Sequence, residues 1–352
     1  MLSEKKRDNW MLTDKYVSIV VACYRDEGSV AELLRRLEAT MATITPNWEV
    51  IYVNDASPDD AENVLLEQAA ANPRLTVISH ARNFGAQVAF TTGMMQAIGD
   101  AVIIMDGDLQ DPPELVADFV RLWLSGYDVV YGIRAQRDES LARNVGYKVF
   151  YKIFGKIAYV DMPLDAGEFS LMDRVVVDVV LRCGERDRLV RGLRAYAGFR
   201  QIGVEFHRPK RFAGKSTQSL LDYFMWAYKA FTSFSLTPLR LITVTAFAMV
   251  GILLALLVFF FISYLAGVQS PRGFMTLICL TLGLGAVIML ALGVIGEYLG
   301  RLFVEVKNRP LQVISTLVND HRDQPIPWLG RPSPSPPRSL PEQKANTDDQ
   351  GR

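Results

Sequence analysis

Residues 105–114 read MDGDLQDPPE, an apolar run that ends on two aspartates one residue apart and then turns on two prolines. If extended geometry continues through Asp106 and Asp108, both carboxylates leave the same face of the chain. Two carboxylates held together repel unless a cation sits between them. Their oxygens suit Mg²⁺ or Mn²⁺, ions that are usually completed by water and substrate phosphates rather than by protein alone. An ion held there would neutralise negative charge developing on a leaving diphosphate. Taken alone, such a pair is more often a solvated acidic turn. Its position favours the first reading: the pair caps the apolar run Ala101–Met105, and Pro112 and Pro113 stand where a helix would open just behind it.

The elements that must position the pair are written in the hydrophobic rhythm of residues 15–135. Short β-rich runs (YVSIVVAC, WEVIYVN, RLTVISH, DAVIIMD, YDVVYGI) alternate with amphipathic stretches such as SVAELLRRLEATM and PPELVADFVRLWLSG. That alternation predicts an α/β fold, a mainly parallel sheet with helices on both faces. Ligands of such sheets bind outside the carboxyl ends of the strands. The polar segments at those ends, YRDEGS, NDASPDD, HARNFG and DGDLQD, are expected to converge on one crevice.

Farther along, no charged residue occurs from Leu241 through Pro271 or from Gly273 through Gly296. Each stretch reaches the ~20 residues that cross a bilayer as helix, so a two-helix transmembrane hairpin over 239–300 is expected. Arg208, Lys210, Arg211, Lys215 and Arg240 precede it and Arg301, Lys307 and Arg309 follow it. The positive-inside rule puts both termini in the cytoplasm. The aromatic-rich segment 216–238 reads as interfacial. Lys148, Lys152 and Lys156, at i, i+4, i+8, fit either a surface-lying basic helix or an ordinary solvated helix face. The expected divisions are a tail over 1–14, the α/β domain over 15–215, a cytoplasmic segment over 301–321 and a proline-rich disordered tail over 322–352.

Composition excludes other classes. Lys plus Arg equal Asp plus Glu at 38 each, so net charge gives no argument for nucleic acid as a partner. Cys23, Cys183 and Cys279 are odd in number and far apart, unlike a disulfide framework or a zinc site. His80, His207 and His321 show no spacing that suggests a hydrolase.

The segments VSIVVACYRDEGSV, VIYVNDASPDD, RNFGAQVAFTTGMMQAIGDAVIIMDGDLQDPPE, DAGEFSLMDRVVVD and ERDRLVRGLRAYAGFRQIGV, with the terminal hairpin, resemble the family 2 glycosyltransferases that load polyprenyl phosphates. These are the dolichyl-phosphate mannose synthase and bacterial GtrB-like enzymes, and the likeness spans residues 15–315 in order. It implies a GT-A fold, a nucleoside-diphosphate sugar donor, Mg²⁺ or Mn²⁺, inversion at the anomeric carbon, a polyprenyl (undecaprenyl- or dolichyl-type) phosphate acceptor at the bilayer, and oligomers formed through the membrane region. By motif, Asp106, Asp108 and Gln110 would be metal ligands, with Asp106 also on the donor. Asp55 would hold the nucleoside and Asp26 lie near the base, with Arg82 and Asn83 on the next crevice segment. Asp55 as a helix cap and Arg82 as a surface charge are the plain alternatives. Arg134 and Arg143 match arginines beside the donor diphosphate and lipid phosphate. Asp165 and Glu168 match an acidic loop that orients acceptor or sugar, or else binds its own backbone. Arg200, Arg208, Arg211 and Lys215 form a second basic group for the lipid phosphate, or a charge cluster that only sets topology.

Such an acceptor needs little base catalysis, because a phosphate monoester with a second pKa near ~6 is largely ionised at neutral pH. Departures from the family pattern include Arg25 for a common asparagine, Asn54 and Ala56 for an aspartate and a glycine, and Glu168 for an aspartate. A processive polysaccharide synthase would carry a Q-x-x-R-W motif and more membrane helices. A catalytically silent sugar-nucleotide scaffold is the alternative from a different class.

Overall fold

The computed structural model describes residues 13–134, 166–207 and 273–322, with scattered positions between 242 and 266. Five strands follow the five predicted runs: β1 (Val17–Cys23), β2 (Trp48–Asn54), β3 (Leu75–His80), β4 (Ala101–Asp106) and β5 (Val129–Arg134). Three more, β6 (Ala166–Asp173), β7 (Gln201–Phe206) and β8 (Ile314–Val318), complete an eight-stranded sheet in the order β7-β5-β6-β4-β1-β2-β3-β8. The centre, β3-β2-β1-β4, is parallel. The expected mainly parallel sheet is present, with β6 antiparallel between β4 and β5 and β8 antiparallel on the edge of β3.

Two helices form because one face of each is apolar. α1 (Val30–Met41) buries Val30, Leu33, Leu34, Leu37 and Met41, and α4 (Val116–Leu124), entered through a short 3₁₀ turn at Pro113–Leu115, buries Val116, Phe119, Val120 and Trp123. Their i, i+3, i+4, i+7 spacing lays a stripe on the sheet. With α2 (Ala61–Ala71) they cover one face. α3 (Ala86–Gln96), α5 (Arg174–Arg182) and α6 (Val190–Ala197) cover the other. β strands alternate between the two cores: Ile103 and Met105 face the first, Val102 and Ile104 the second. By the same alternation Asp106 falls on the α3/α5/α6 side.

α7 (Phe274–Val306) is 33 residues long, about 50 Å at 1.5 Å per residue. Its Gly283–Val306 segment is long and apolar enough to cross a membrane, with a mean hydropathy of 1.8 and none of it buried. Leu290, Leu292, Leu299 and Phe303 are exposed on it. The first expected span is described only at scattered helical positions from Ile242 to Leu265, and the 216–238 segment, the 148–156 lysines and the chain beyond 322 lie outside the described residues.

The segment expected only as a cytoplasmic stretch after the hairpin does more. β8 pairs Val318 with Val77, Leu317 with Ile78 and Thr316 with Ser79. Thr76 Oγ1 donates to Asn319 O at 2.6 Å, and Ala81 N–H to Val313 O at 2.8 Å. At the end of α7, Glu305 Oε1 accepts the Arg186 N–H at 2.8 Å and Arg301 reaches Asp187 at 3.3 Å. The apolar helix is thus sutured to the sheet at the loop before α6 and along β3.

Candidate active site

β4 ends on Asp106, but the extended geometry expected to run through both aspartates stops there. Gly107 donates its N–H to the Ala22 carbonyl at 3.0 Å, and the chain turns at that residue. Asp108 is therefore aimed by the turn and not by the two-residue period of a strand. Its Oδ1 accepts the Gln110 N–H at 3.0 Å, while Asp111 Oδ2 accepts the Asp106 N–H at 3.1 Å. Asp106 and Gln110 are half-buried and Asp108 is 4 % exposed. The Ser29 hydroxyl stands 2.6 Å from both Gly107 O and Asp26 O, joining the loop after β1 to this turn. Asp26 Oδ2 and Tyr52 Oη lie beside Gly107, each 3.6 Å from where a Cβ would stand. Burial, then the charges of Cys23, Asp26 and Asp108, pushes the Tyr52 phenol well above its ordinary range. Burial likewise pushes the Cys23 thiol up, with Asp26 and Asp59 adding to it, so that sulfur is not a nucleophile here. Two carboxylates and an amide oxygen are hard donors that fit a hard divalent cation. Among the described residues no three His, Cys, Asp or Glu side chains converge, so substrate phosphates would have to complete the shell.

Asp55, 2 % exposed, sits behind β2 and organises the neighbouring loop. Its Oδ1 accepts from His80 Nδ1 at 2.7 Å and Phe84 N–H at 2.8 Å, and its Oδ2 from Gly85 N–H at 2.6 Å. His80 Nε2 lies 3.0 Å from Thr92 Oγ1 of α3. Burial pushes the carboxyl up, but the bonds from His80, Phe84 and Gly85 outweigh it and leave Asp55 below the usual carboxylate range. Gly85 can offer its N–H because its φ of 92° is open to glycine alone at low cost. Arg82 and Asn83 are exposed on this loop, with the Arg82 guanidinium 4.2 Å above the Phe84 ring.

Three loops at the carboxyl edge carry left-handed non-glycine residues: Arg25 (φ 62°) after β1, Ala56 (φ 52°) after β2 and Leu109 (φ 61°) after β4. Each costs about 1–2 kcal/mol against a relaxed backbone. Asparagine and glycine are the residues that adopt this geometry most cheaply, which explains why Arg25 and Ala56 stand out against the pattern. The first two loops are tied to each other. Arg25 N–H donates to Ser57 Oγ at 2.7 Å, and Glu27 N–H to Asp59 Oδ2 at 3.2 Å.

A second group gathers across the sheet from Asp106. β6 pairs Ser170 with Ile104, and Glu168, two residues farther along β6, falls by strand alternation on the same face as Asp106, the one that α3 covers. Glu168 Oε1 accepts from Gln87 Nε2 at 3.1 Å and Oε2 from Arg191 N–H at 3.1 Å. Gln87 Oε1 in turn accepts the Val190 N–H at 2.7 Å, so α3, β6 and the start of α6 meet on one carboxylate. Arg134, at the end of β5, lays its guanidinium over Gly167, 3.2 Å from where a Cβ would stand. Arg194, 1 % exposed, stacks its guanidinium 5.0 Å from the Tyr131 ring centroid, and among the described residues none of its guanidinium nitrogens has a hydrogen-bond partner. Burial lowers its pKa to about 10, opposed by the nearby Glu168.

Residues 18–181 match the family model described as glycosyl transferase family 2. The uncharacterized glycosyltransferase YkcC of Bacillus subtilis (strain 168) is 37 % identical over 300 residues, 84 % of this chain and 92 % of that protein. The chain belongs to glycosyl transferase family 2. This glycosyltransferase is also 32 % identical over 311 residues to the SfII prophage-derived bactoprenol glucosyl transferase of Shigella flexneri, covering 88 % of this chain and 99 % of that one. A solved structure similar to it, with a TM-score of 0.39 and 21 % identity, is the mannosyltransferase PcManGT from Pyrobaculum calidifontis in complex with GDP-Man and Mn²⁺, over 58 % of this chain and 62 % of that one.

Of the residues singled out in the sequence of this glycosyltransferase, Asp26, Asp55, Arg82, Asn83, Asp106, Asp108, Gln110, Arg134 and Glu168 come to the carboxyl edge of the central strands. Arg200 does not. It precedes β7, which runs parallel to β5 with Gln201 paired to Val129, so it lies at the amino end of β5, opposite Arg134. There its N–H donates to Asp128 at 2.9 Å and its guanidinium stacks 5.2 Å from the Tyr127 ring. The reading that grouped it with a lipid-phosphate site followed its closeness in sequence to Arg208 and Arg211. Arg143, Asp165, Arg208, Arg211 and Lys215 lie outside the described residues. His80, Gln87, Arg191 and Arg194 were not found from sequence. Their partners are too far along the chain for any spacing to betray them.

Proposed function

We propose that the chain transfers a hexosyl group, with inversion, from a nucleoside-diphosphate sugar to a polyprenyl phosphate at the cytoplasmic face of a membrane. The observation that carries this reading is the likeness, over nearly the whole of both chains, to a protein named as a bactoprenol glucosyl transferase, bactoprenol being a polyprenol. The exposed apolar helix α7, held against the sheet by β8, supports delivery of such an acceptor from a bilayer.

The donor lies along the carboxyl edge, its base toward Asp26 and its nucleoside against the loop that Asp55 holds. Arg82 and Asn83 border it. Asp106, Asp108 and Gln110 would hold Mg²⁺ or Mn²⁺, which would supply Lewis-acid stabilisation of the diphosphate leaving group. Arg134, supported on Gly167, and Arg143 neutralise phosphate oxygens of donor and acceptor, and Arg208, Arg211 and Lys215 receive the lipid phosphate. An acceptor phosphate oxygen forms its bond to the anomeric carbon as the bond to the diphosphate breaks on the opposite side, which inverts that carbon. No proton has to leave the nucleophile, since the monoester is already largely ionised. This agrees with the state of Glu168, whose two oxygens are engaged by Gln87 and Arg191. It orients the site, a role also assigned to Asp165, and alignment is the main demand of the reaction.

The test is transfer from a panel of radiolabelled nucleoside-diphosphate hexoses to undecaprenyl phosphate by the purified full-length protein with Mg²⁺ or Mn²⁺. Label in an organic-extractable product that is lost with chelator is expected. Donor binding without any transfer would make the protein a sugar-nucleotide scaffold and refute the reading.

A further inference from the structure

Apart from the acid-lined edge, a cleft of about 320 Å³ opens where the end of α7 meets the loop leading into α3. Phe84, Phe303 and Leu311 form apolar walls, and Arg186, Lys307 and Arg309 bring three cations to it, with no carboxylate in the lining among the described residues. The acids nearby are engaged elsewhere. Glu305 accepts the Arg186 backbone N–H, while Asp187 and Glu297 both bond to Arg301. Arg186 is steadied by Asn308 at 2.5 Å, and Lys307 lies 4.0 Å over the Phe303 ring. Lys307 and Arg309 are exposed.

The place along α7 suggests the ligand. The uncharged run of α7 ends at Gly296 and the helix runs on to Val306, so Lys307 and Arg309 stand on the basic flank that follows the apolar stretch, the kind of juxtamembrane segment that attracts anionic lipid. A cleft with apolar walls and three cations, beside the end of the apolar helix, matches an anionic amphiphile. We propose that it binds one anionic glycerophospholipid of the bilayer, its phosphate on Lys307, Arg309 and Arg186 and its first methylenes against Phe303 and Leu311. Such a lipid would also touch the donor loop. Phe84 lines the cleft, while its N–H and that of Gly85 are held by Asp55. An occupied cleft therefore braces the turn whose other side faces the proposed nucleoside.

Binding can be read without turnover, so this inference stands or falls independently of the sugar-transfer reading. The full-length protein, delipidated in a neutral maltoside detergent, is titrated calorimetrically with dioctanoyl phosphatidylglycerol, dioctanoyl phosphatidylcholine, glycerol phosphate and farnesyl phosphate. Saturable binding of phosphatidylglycerol is expected, with phosphatidylcholine and glycerol phosphate at least tenfold weaker. A Lys307→Gln/Arg309→Gln variant should lose about thirtyfold in affinity for phosphatidylglycerol, at about fivefold per basic residue. Hydrogen exchange of the amides in residues 84–88 should slow on adding phosphatidylglycerol to the wild type and not to the variant. Equal binding of the two phospholipids, or unchanged affinity in the variant, would overturn the proposal. Tighter binding of farnesyl phosphate than of phosphatidylglycerol, lost in the same variant, would also overturn it and make the cleft an acceptor site.

Discussion

Asp55→Asn separates a residue that holds the site together from one that performs its chemistry. In the wild type three donors converge on this carboxylate, His80 Nδ1 and Phe84 N–H on Oδ1 and Gly85 N–H on Oδ2. An asparagine can keep its oxygen on only one side. If that side faces His80 and Phe84, its own N–H groups point at the Gly85 N–H, 2.6 Å from the atom it replaces. One buried donor is left without a partner, at about 1–3 kcal/mol, and the two remaining bonds lose their charge assistance, at about 0.5–1 kcal/mol together. The total is about 1.5–4 kcal/mol. At about 2–4 °C per kcal/mol for a domain of this size, the melting temperature should fall by about 3–16 °C. The assay is thermal unfolding of the full-length protein in detergent, followed by tryptophan fluorescence. The pH dependence adds a second check. Because the folded-state pKa of Asp55 is lowered, its contribution is present in full above its unfolded value of about 3.9 and fades as pH falls through the lower folded value. The gap between wild type and variant should therefore be constant near neutrality and close only in strong acid. A variant that melts with the wild type at pH 7 would refute the role assigned to this carboxylate.

Asp108→Asn should lower the transfer rate at least a hundredfold while the melting temperature stays close to that of the wild type; retained activity in the radiolabel assay would remove Asp108 from the metal site. Glu168→Gln should slow transfer about tenfold without abolishing it, since an amide can satisfy Gln87 or the Arg191 N–H but not both with oxygen, and the loss should fall on kcat in steady-state kinetics. A complete loss there would mean that Glu168 removes a proton after all. Ala56→Gly should stabilise the protein by about 0.5–1 kcal/mol, read as a rise in thermal midpoint, because φ of 52° strains alanine and not glycine.

The local grammar of the chain was enough for much of this protein. Apolar runs of six or seven residues between amphipathic segments named β1 to β5 correctly, because strand and helix each impress their own period on the residues that face the core. The acid pair at the tip of β4, the prolines behind it and the long uncharged stretch that became α7 were legible for the same reason: each is a property of neighbours in sequence. Even the oddity of Arg25 and Ala56 was visible, although only the left-handed backbone at those positions supplied its cause.

Pairings across the chain were not legible. β6 slips antiparallel between β4 and β5, and β8 returns from α7 to close the edge of β3, because an unpaired edge takes whichever strand the topology delivers. His80 and Asp55 are 25 residues apart, and Gln87 and Glu168 are 81 apart. No periodicity links them, and only the stacking of α3 on the sheet does. The buried Arg194 and the displaced Arg200 teach the same lesson from opposite sides. Sequence proximity put Arg200 with Arg208 and Arg211, but one parallel strand, β7, carries it to the far end of β5, while α6 takes Arg194 inward to Tyr131 and Glu168. Residue type and spacing decide which chemistry is available. Long-range packing decides which of those groups meet, since a side chain's neighbours in space are set by the free energy of burying the whole sheet and not by the residues on either side of it.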